Sequence, residues 1–562
     1  MLEYSKLSEL IDACVQFHGS FASKRTVETL DTRRKLAAWI RKFHSECGTL
    51  TPKVEQALEN LDADSCVLLM TAHQPNLFAY GGVLRKATLM RVLAKSLAVR
   101  LAAPVVSFFG LADQDFADDK WVKCAELPDI ERRNGTLELR IQLPEKIMLN
   151  KIPRPPDTIL SNWRQEIRSW IHRKVKSISE LASIHLDAHH YVENLEQLWR
   201  IVSDSFDKAR NYADFNAFTL SKSINSAWEY DTLFCRFSEC QQALRHEFSS
   251  LINTFEEYSV AVREAEERSM GKLGGVPTDE YRTIPVWYHC ECGSKARLMA
   301  VGTNPIIARG NCLKCDNHFE IDLSPTSGIW TEASKFSARA LAMPIVLLPG
   351  LGVSCYVGGA GGRQYLLQAS IAAVHMGIDL PPIGIWRPRD YYLGLGQVEA
   401  LLTLRKITGS ISLHEYEVTK ATLQKRLATA QHLIDELETR KKQVTATAAK
   451  ANERISEMKT LAEQQHTLRR ENDTAMLARY LGLLTNAERI SNLFPCAVDY
   501  AVNIGLRNVS EQWERFLQST GDLASDIVLG TQMDSVSQIN LESSWPSLMK
   551  NLRDRSMDGL IG

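Results

Sequence analysis

Four cysteines and one histidine-led turn are the residues of this chain whose types and spacing carry chemistry. The cysteines form two close pairs, Cys290-Glu291-Cys292 and Cys312-Leu313-Lys314-Cys315, with 19 residues between Cys292 and Cys312. A close pair offers two thiolates from one tight turn, and two such pairs make the tetrahedral sulfur cage that Zn²⁺ prefers. Four thiolates leave no open position for water, so the expected role is structural. The reading is a zinc ribbon over residues 284–324, stapling a segment too small for its own core. One residue separates the first pair instead of the usual two, and His289 and His318 stand nearby as substitute ligands.

The second constellation starts at Thr71-Ala72-His73-Gln74-Pro75-Asn76. An apolar run, Cys66 to Met70, reads as a buried strand that breaks into this polar turn, and a helical pattern carrying Lys86 follows from Val83 to about Leu101. A second apolar run, Ala103 to Leu111, ends in Ala112-Asp113-Gln114-Asp115. Strand, helix and strand make a βαβ crossover, which puts both polar ends on one edge of a parallel sheet. Ligands bind at that edge in open α/β sheets. A third segment, Cys355 to Tyr365, is a strand end feeding the glycines Gly358, Gly359 and Gly361 and then a helix starting near Arg363. Such glycines admit close backbone approach to a ligand, and a helix start offers free N–H groups to an anion. The same residues have ordinary structural uses. Polar residues suit βα turns, Asp113 can cap a helix, and lysines and arginines are commonest on surfaces.

The elements that must position these residues fit an α/β class, a Rossmann-like parallel sheet core with helical and zinc-ribbon insertions and a long C-terminal helical coiled coil. Residues 1–62 carry helical patterning, and residues 63–156 form the first part of the core, closed by Pro153, Pro155 and Pro156. Neither proline nor glycine occurs from Asp157 to Arg268, so 157–270 reads as a helical insertion, and 325–408 holds the second part of the core. From Ile411 to Leu481 both breakers are again absent. With Leu413 at position a, Leu427, Ile434, Ala448, Ile455 and Ala462 also fall at a, while Tyr416, Leu423, Ala430, Leu437, Val444, Ala451 and Met458 fall at d. Lys420 and Lys441 interrupt the a series. The repeat predicts a coiled coil over 409–484, paired with a second copy or with a returning part of the same chain. A helical segment, 485–562, completes the chain.

Composition sets outer limits. At 562 residues the chain exceeds a single core. Lys plus Arg is 66 against 67 Asp plus Glu, a net charge of −1 that gives no global pull toward nucleic acid or membrane. No apolar run approaches the roughly 18 to 20 residues that span a bilayer. Twelve scattered cysteines and no secretion signal at the start fit reduced thiols in the cytoplasm.

The combination resembles one known family, the cysteine-adding enzyme of bacillithiol biosynthesis (BshC). Thr71 to Phe78, with Gly82 and Lys86, looks like that family's first-strand motif, and Leu111 to Phe116 is similar to its Glu-Asp-His-Asp segment, keeping both aspartates. Tyr356 to Gly361, followed by Gly377 to Pro382, resembles its glycine turn and proline-containing strand. The resemblance implies a Rossmann-like core related in shape to nucleotidyltransferases and class I aminoacyl-tRNA synthetases. It also implies a carbon–nitrogen ligase joining an amino acid, cysteine by precedent, to the amine of a small acceptor, with ATP or ADP at the sheet edge. Gln114 stands where the family has His, Gly362 where it has Glu, and the ribbon is not a family feature.

On that reading His73 contacts phosphate or the oxyanion, and Asp113 or Asp115 holds the incoming ammonium and takes its proton. Gln74, Asn76 and Gln114 line the substrate. Lys86, Lys335, Arg339 and Arg363 contact phosphate, beside Gly358, Gly359 and Gly361. The expected partners are the amino acid, the amine acceptor, the nucleotide and a second copy through the coiled coil, without nucleic acid or membrane. Two alternatives stand beside it: a synthetase-like enzyme of aminoacyl or nucleotidyl transfer, and a non-enzymatic scaffold.

Overall fold

The computed structural model describes the chain apart from residues 1–3, 23–26, 274–282, 302–305, 325–326, 448–450, 532–540, 542 and 559–562. Its centre is a five-stranded sheet of β1 (Val67–His73), β2 (Val105–Leu111), β3 (Leu233–Arg236), β4 (Val353–Gly358) and β5 (Ile383–Ile385). The strands are all parallel and lie in the order β3-β2-β1-β4-β5. This is the doubly wound order, with its switch point between β1 and β4. β1 reads as an unbroken apolar run because both its faces are covered. Val67 and Leu69 enter one core with Val83, Leu84 and Ala87 of α1 (Gly81–Leu101). Leu68 and Met70 enter the opposite core with Leu366, Ala369 and Ala372 of α2 (Arg363–His375).

Three expected boundaries move. The segment 157–270 is not only a helical insertion, because it returns β3 to the edge of the sheet beside β2. Four residues buried on both faces carry no alternation, so the strand is hidden inside helical patterning. The strand Val286–His289, which leads into Cys290, pairs antiparallel with Lys295–Arg297 and also with Phe336–Ala338, from beyond the ribbon's expected end at 324. The limit between 484 and 485 falls inside a helix.

The long helical stretch folds back on itself. α3 (Leu413–Thr447) packs against α4 (Ala451–Asn472) and α5 (Thr474–Asn492). Of the d positions, Tyr416, Leu423, Ala430 and Val444 are buried. The heptad frame does not continue into α4, where Ile455 is 66% exposed and Leu461 and Gln465 face inward instead. Ala448 lies outside the described residues, as does the side chain of Ala451. The two lysines that interrupt the repeat are paired. Lys441 donates to Gln465 at 2.5 Å and Lys420 to Glu488 at 2.5 Å. Further on, Ile527–Val528 pairs in parallel with Asp390–Tyr391 just beyond β5, tying the C-terminal region to the sheet. Among the described residues no helix is long and apolar enough to cross a membrane.

Candidate active site at the sheet edge

The C-terminal ends of all five strands open into one cavity of about 660 Å³. β1 contributes His73 and Gln74, β2 contributes Gln114 and Asp115, and the turn after β4 contributes Gly359 to Gly362. The sheet topology therefore places the cavity at the β1/β4 switch point, where open α/β sheets hold their ligands. A groove of about 930 Å³ between the hairpin helices, lined by Gln424, Leu427 and Ala478 among others, is larger, but none of the three strand-end motifs reaches it.

His73 is held as a neutral imidazole. Its Nδ1 lies 3.0 Å from the Gln74 carbonyl, so Nδ1 carries the proton, and Nε2 accepts from the Tyr80 hydroxyl at 3.3 Å. Burial, and then the charge of Lys86, push its pKa down to about 3. Lys86, on α1, donates to the Ala72 carbonyl at 2.9 Å, and burial lowers its amine to about 7. Gly359 passes close over it, since a Cβ at Gly359 would stand 3.3 Å from Lys86 Cε. The glycine turn, the Lys86 amine and the start of α2 thus share one wall.

The opposite wall is acidic. Gln74 Nε2 donates to Asp115 Oδ2 at 3.0 Å, and Lys295 Nζ stands 3.9 Å from Oδ1. Lys295 is buried beside the rings of Phe116 at 5.2 Å and Trp287 at 5.9 Å. Its own proton affinity is lowered by burial, against the opposing pull of Asp115 and Asp113. Asp115 keeps 43% side-chain exposure on the cavity. Asp113 does not share this role. It is 1% exposed, and its oxygens accept from Ser238 N at 3.0 Å, from the Ser238 hydroxyl and from Asn150 Nδ2 at 3.2 Å. Burial raises it to about 6, with Ser238 opposing. Asp113 therefore ties the β3 turn to β2 and has no free oxygen for an ammonium. Gln114 is paired too, exchanging hydrogen bonds with Gln241 at 3.0 and 2.5 Å.

Five further expected positions lie off the cavity. Lys335 is exposed and pairs with Glu332 at 2.7 Å, because it precedes a strand of the ribbon sheet instead of a phosphate loop. Arg339 stacks on Trp287 at 4.3 Å, behind the wall. Arg363 opens α2 half-buried, and Gly358 serves packing, since a Cβ there would meet Leu366 at 2.8 Å. Asn76 is 4% exposed, with its carboxamide turned to the His73 ring. Gln241, Trp287 and Lys295 were not legible as site residues, since each reaches the site from a distant segment; Tyr80 ends the His73 turn itself but carries no spacing signal of its own.

The four cysteines do converge. Cys290 and Cys315 sulfurs are 3.5 Å apart, as are those of Cys292 and Cys312, and all four lie within 4.8 Å of one another. Sulfurs bound at about 2.3 Å to a tetrahedral ion stand at comparable separations, so the set could hold a metal ion. His289 and His318 are not part of it. His289 contacts Ser334 and Ser337, and His318 contacts Asn311.

No protein-family model and no curated protein matches the sequence. Among solved structures, one match is a Campylobacter jejuni protein provisionally named an arginyl-tRNA synthetase, at 10% identity over 83% of this chain and 96% of that one, with a TM-score of 0.21. At that identity and score the match carries no argument.

Proposed function

We propose that the strand-end cavity is the active site of a carbon–nitrogen ligase that joins an amino acid to the amine of a small acceptor, with ATP or ADP bound at the glycine turn. One observation carries the reading. Asp115, oriented by Gln74 and Lys295, faces the same cavity as a neutral His73, Lys86 and the Gly359 to Gly362 turn.

Amide formation needs an ammonium held and deprotonated beside an activated carboxylate. Asp115 supplies the anion that holds the ammonium. Nε2 of the neutral His73 accepts from the Tyr80 hydroxyl and so positions Tyr80 on the cavity wall, and with no proton on Nε2 the imidazole does not serve an oxyanion. Lys86, with the positive end of α2 beside it, suits phosphate and the developing oxyanion. The cysteine set fits structural zinc held by Cys290, Cys292, Cys312 and Cys315, which supplies rigidity to the wall that carries Lys295 and Trp287.

Calorimetry of the purified protein with ATP, ADP, cysteine and ethanolamine tests the proposal. Nucleotide and amine should each bind, Asp115→Asn should lose the amine while keeping the nucleotide, and Lys86→Met should do the reverse. Absence of both nucleotide and amine binding would sink it.

A further inference from the structure

The cavity has a second, chemically distinct half on the β3 side. It is walled by Phe237, Cys240, Leu244, Phe248, Met343 and Leu347. Leu244 and Phe248 are four residues apart on one helical turn, and so are Met343 and Leu347 on the helix Ala342–Gly350. Each pair therefore shares a helix face, and the cavity lies against both faces. The walls are held close. Phe237 sits where a Cβ at Gly110 would come within 2.1 Å of its ring, and a Cβ at Gly350 would meet Leu244 at 2.8 Å. The charged residues of the cavity, Arg85, Lys86, Asp115, Asp119 and Arg387, come from α1 and from the turns after β2 and β5. None belongs to this half. The polar groups at its border, Gln114 and Gln241, are hydrogen-bonded to each other.

The border also fixes what the half is for. Gln114 is the chain neighbour of Asp115, and Gln241 is the chain neighbour of Cys240, so one hydrogen-bonded pair separates the ammonium-holding carboxylate from the apolar wall. We infer that this half is a pocket for the side chain of the amine substrate held at Asp115, that it takes a branched aliphatic, thioether or aromatic group, and that it selects against small polar ones, a cysteine side chain included; the amino acids used below probe it as amines. The inference rests on the proposed role of Asp115 as the ammonium site. A polar side chain entering there would give up water hydrogen bonds without replacement, whereas each buried methylene gains.

Binding of L-leucine, L-phenylalanine, L-serine and L-cysteine to the full chain, measured by calorimetry, tests it. Leucine or phenylalanine should bind at least roughly tenfold more tightly than serine and cysteine, on the scale by which apolar pockets discriminate side chains. Met343→Gln, at a half-buried wall position, should erase most of that preference by weakening leucine binding. Leu347→Ala should weaken leucine binding, with its melting temperature reporting that it still folds. Equal affinity for leucine and serine, with Asp115→Asn abolishing both, overturns the pocket and leaves the ammonium site standing. A leucine preference that survives Asp115→Asn and disappears in Met343→Gln supports the pocket and removes the ammonium site. If none of the four amino acids binds, both are overturned.

Discussion

Lys295 Nζ lies 3.9 Å from Asp115 Oδ1, so a residue three positions beyond Cys292 reaches the carboxylate that closes the β2 end of the cavity. The backbone of Lys295 is held from both cysteine turns. It pairs with His289 on the strand before Cys290, and its carbonyl accepts from Leu313 N, next to Cys312, at 2.9 Å. A metal ion in the cysteine set would thus fix the cation that orients Asp115.

Purified protein should accordingly contain one equivalent of zinc, measured by elemental analysis. Stripping it with a chelator under reducing conditions should lower the melting temperature and weaken amine binding about 10- to 100-fold, the size of effect seen when groups supporting a site are lost. Less than half an equivalent of metal, or unchanged amine affinity after stripping, contradicts the coupling.

Asp113 gives stability a defined pH dependence. Its folded pKa of about 6 stands above the unfolded 3.8, so the protonated form is the one the fold favours. Its contribution is fully present below pH 3.8, and as pH rises toward 6 the unfolded chain sheds the proton first. Over that window the carboxyl costs on the order of 3 kcal/mol. Asp113→Asn lacks the titration, so its stability relative to wild type should improve as pH rises from 4 to 6.5 in urea melts. Parallel pH profiles would exclude the effect.

The Lys86 amine, lowered to about 7 by burial, is mostly uncharged at pH 8. A bound phosphate favours the ammonium, so nucleotide binding at pH 8 should take up close to one proton. Calorimetry in buffers of different ionisation enthalpy reads this directly, and Lys86→Met should abolish the uptake. Binding with no proton exchange would show that Lys86 does not meet phosphate.

Away from the cavity, Lys174 joins Asp129 and Glu399, at 2.5 Å to each, and all three side chains are 2–3% exposed. Lys174→Met leaves two buried carboxylates without their cation, a loss of about 3–5 kcal/mol. Denaturant melts should show it. A change under 1 kcal/mol would mean that water or Arg173, 3.6 Å from Asp129, takes over the charge.

What the sequence by itself determined were the local units: β1 with its His73 turn and α1, the apolar run of β2 ending in Asp115, the glycine turn after β4, and the paired cysteines. Each is legible because its signal, an apolar run meeting polar or glycine residues or two thiols at turn spacing, lies within a dozen residues. Tertiary structure alone decided which of them meet. β3 is four residues long with both faces covered, so it has neither length nor alternation to set it apart from the helices around it. Asp113 and Asp115 are two residues apart, yet Ser238, 125 residues from Asp113, occupies one while the other faces the cavity. The heptad repeat gave a long apolar stripe but not the point where α4 turns back along it. Lys295 reaches Asp115 across 180 positions of sequence, which residue spacing does not record. Local periodicity encodes which face of an element is apolar; which other element covers that face is settled by packing between segments far apart in the chain.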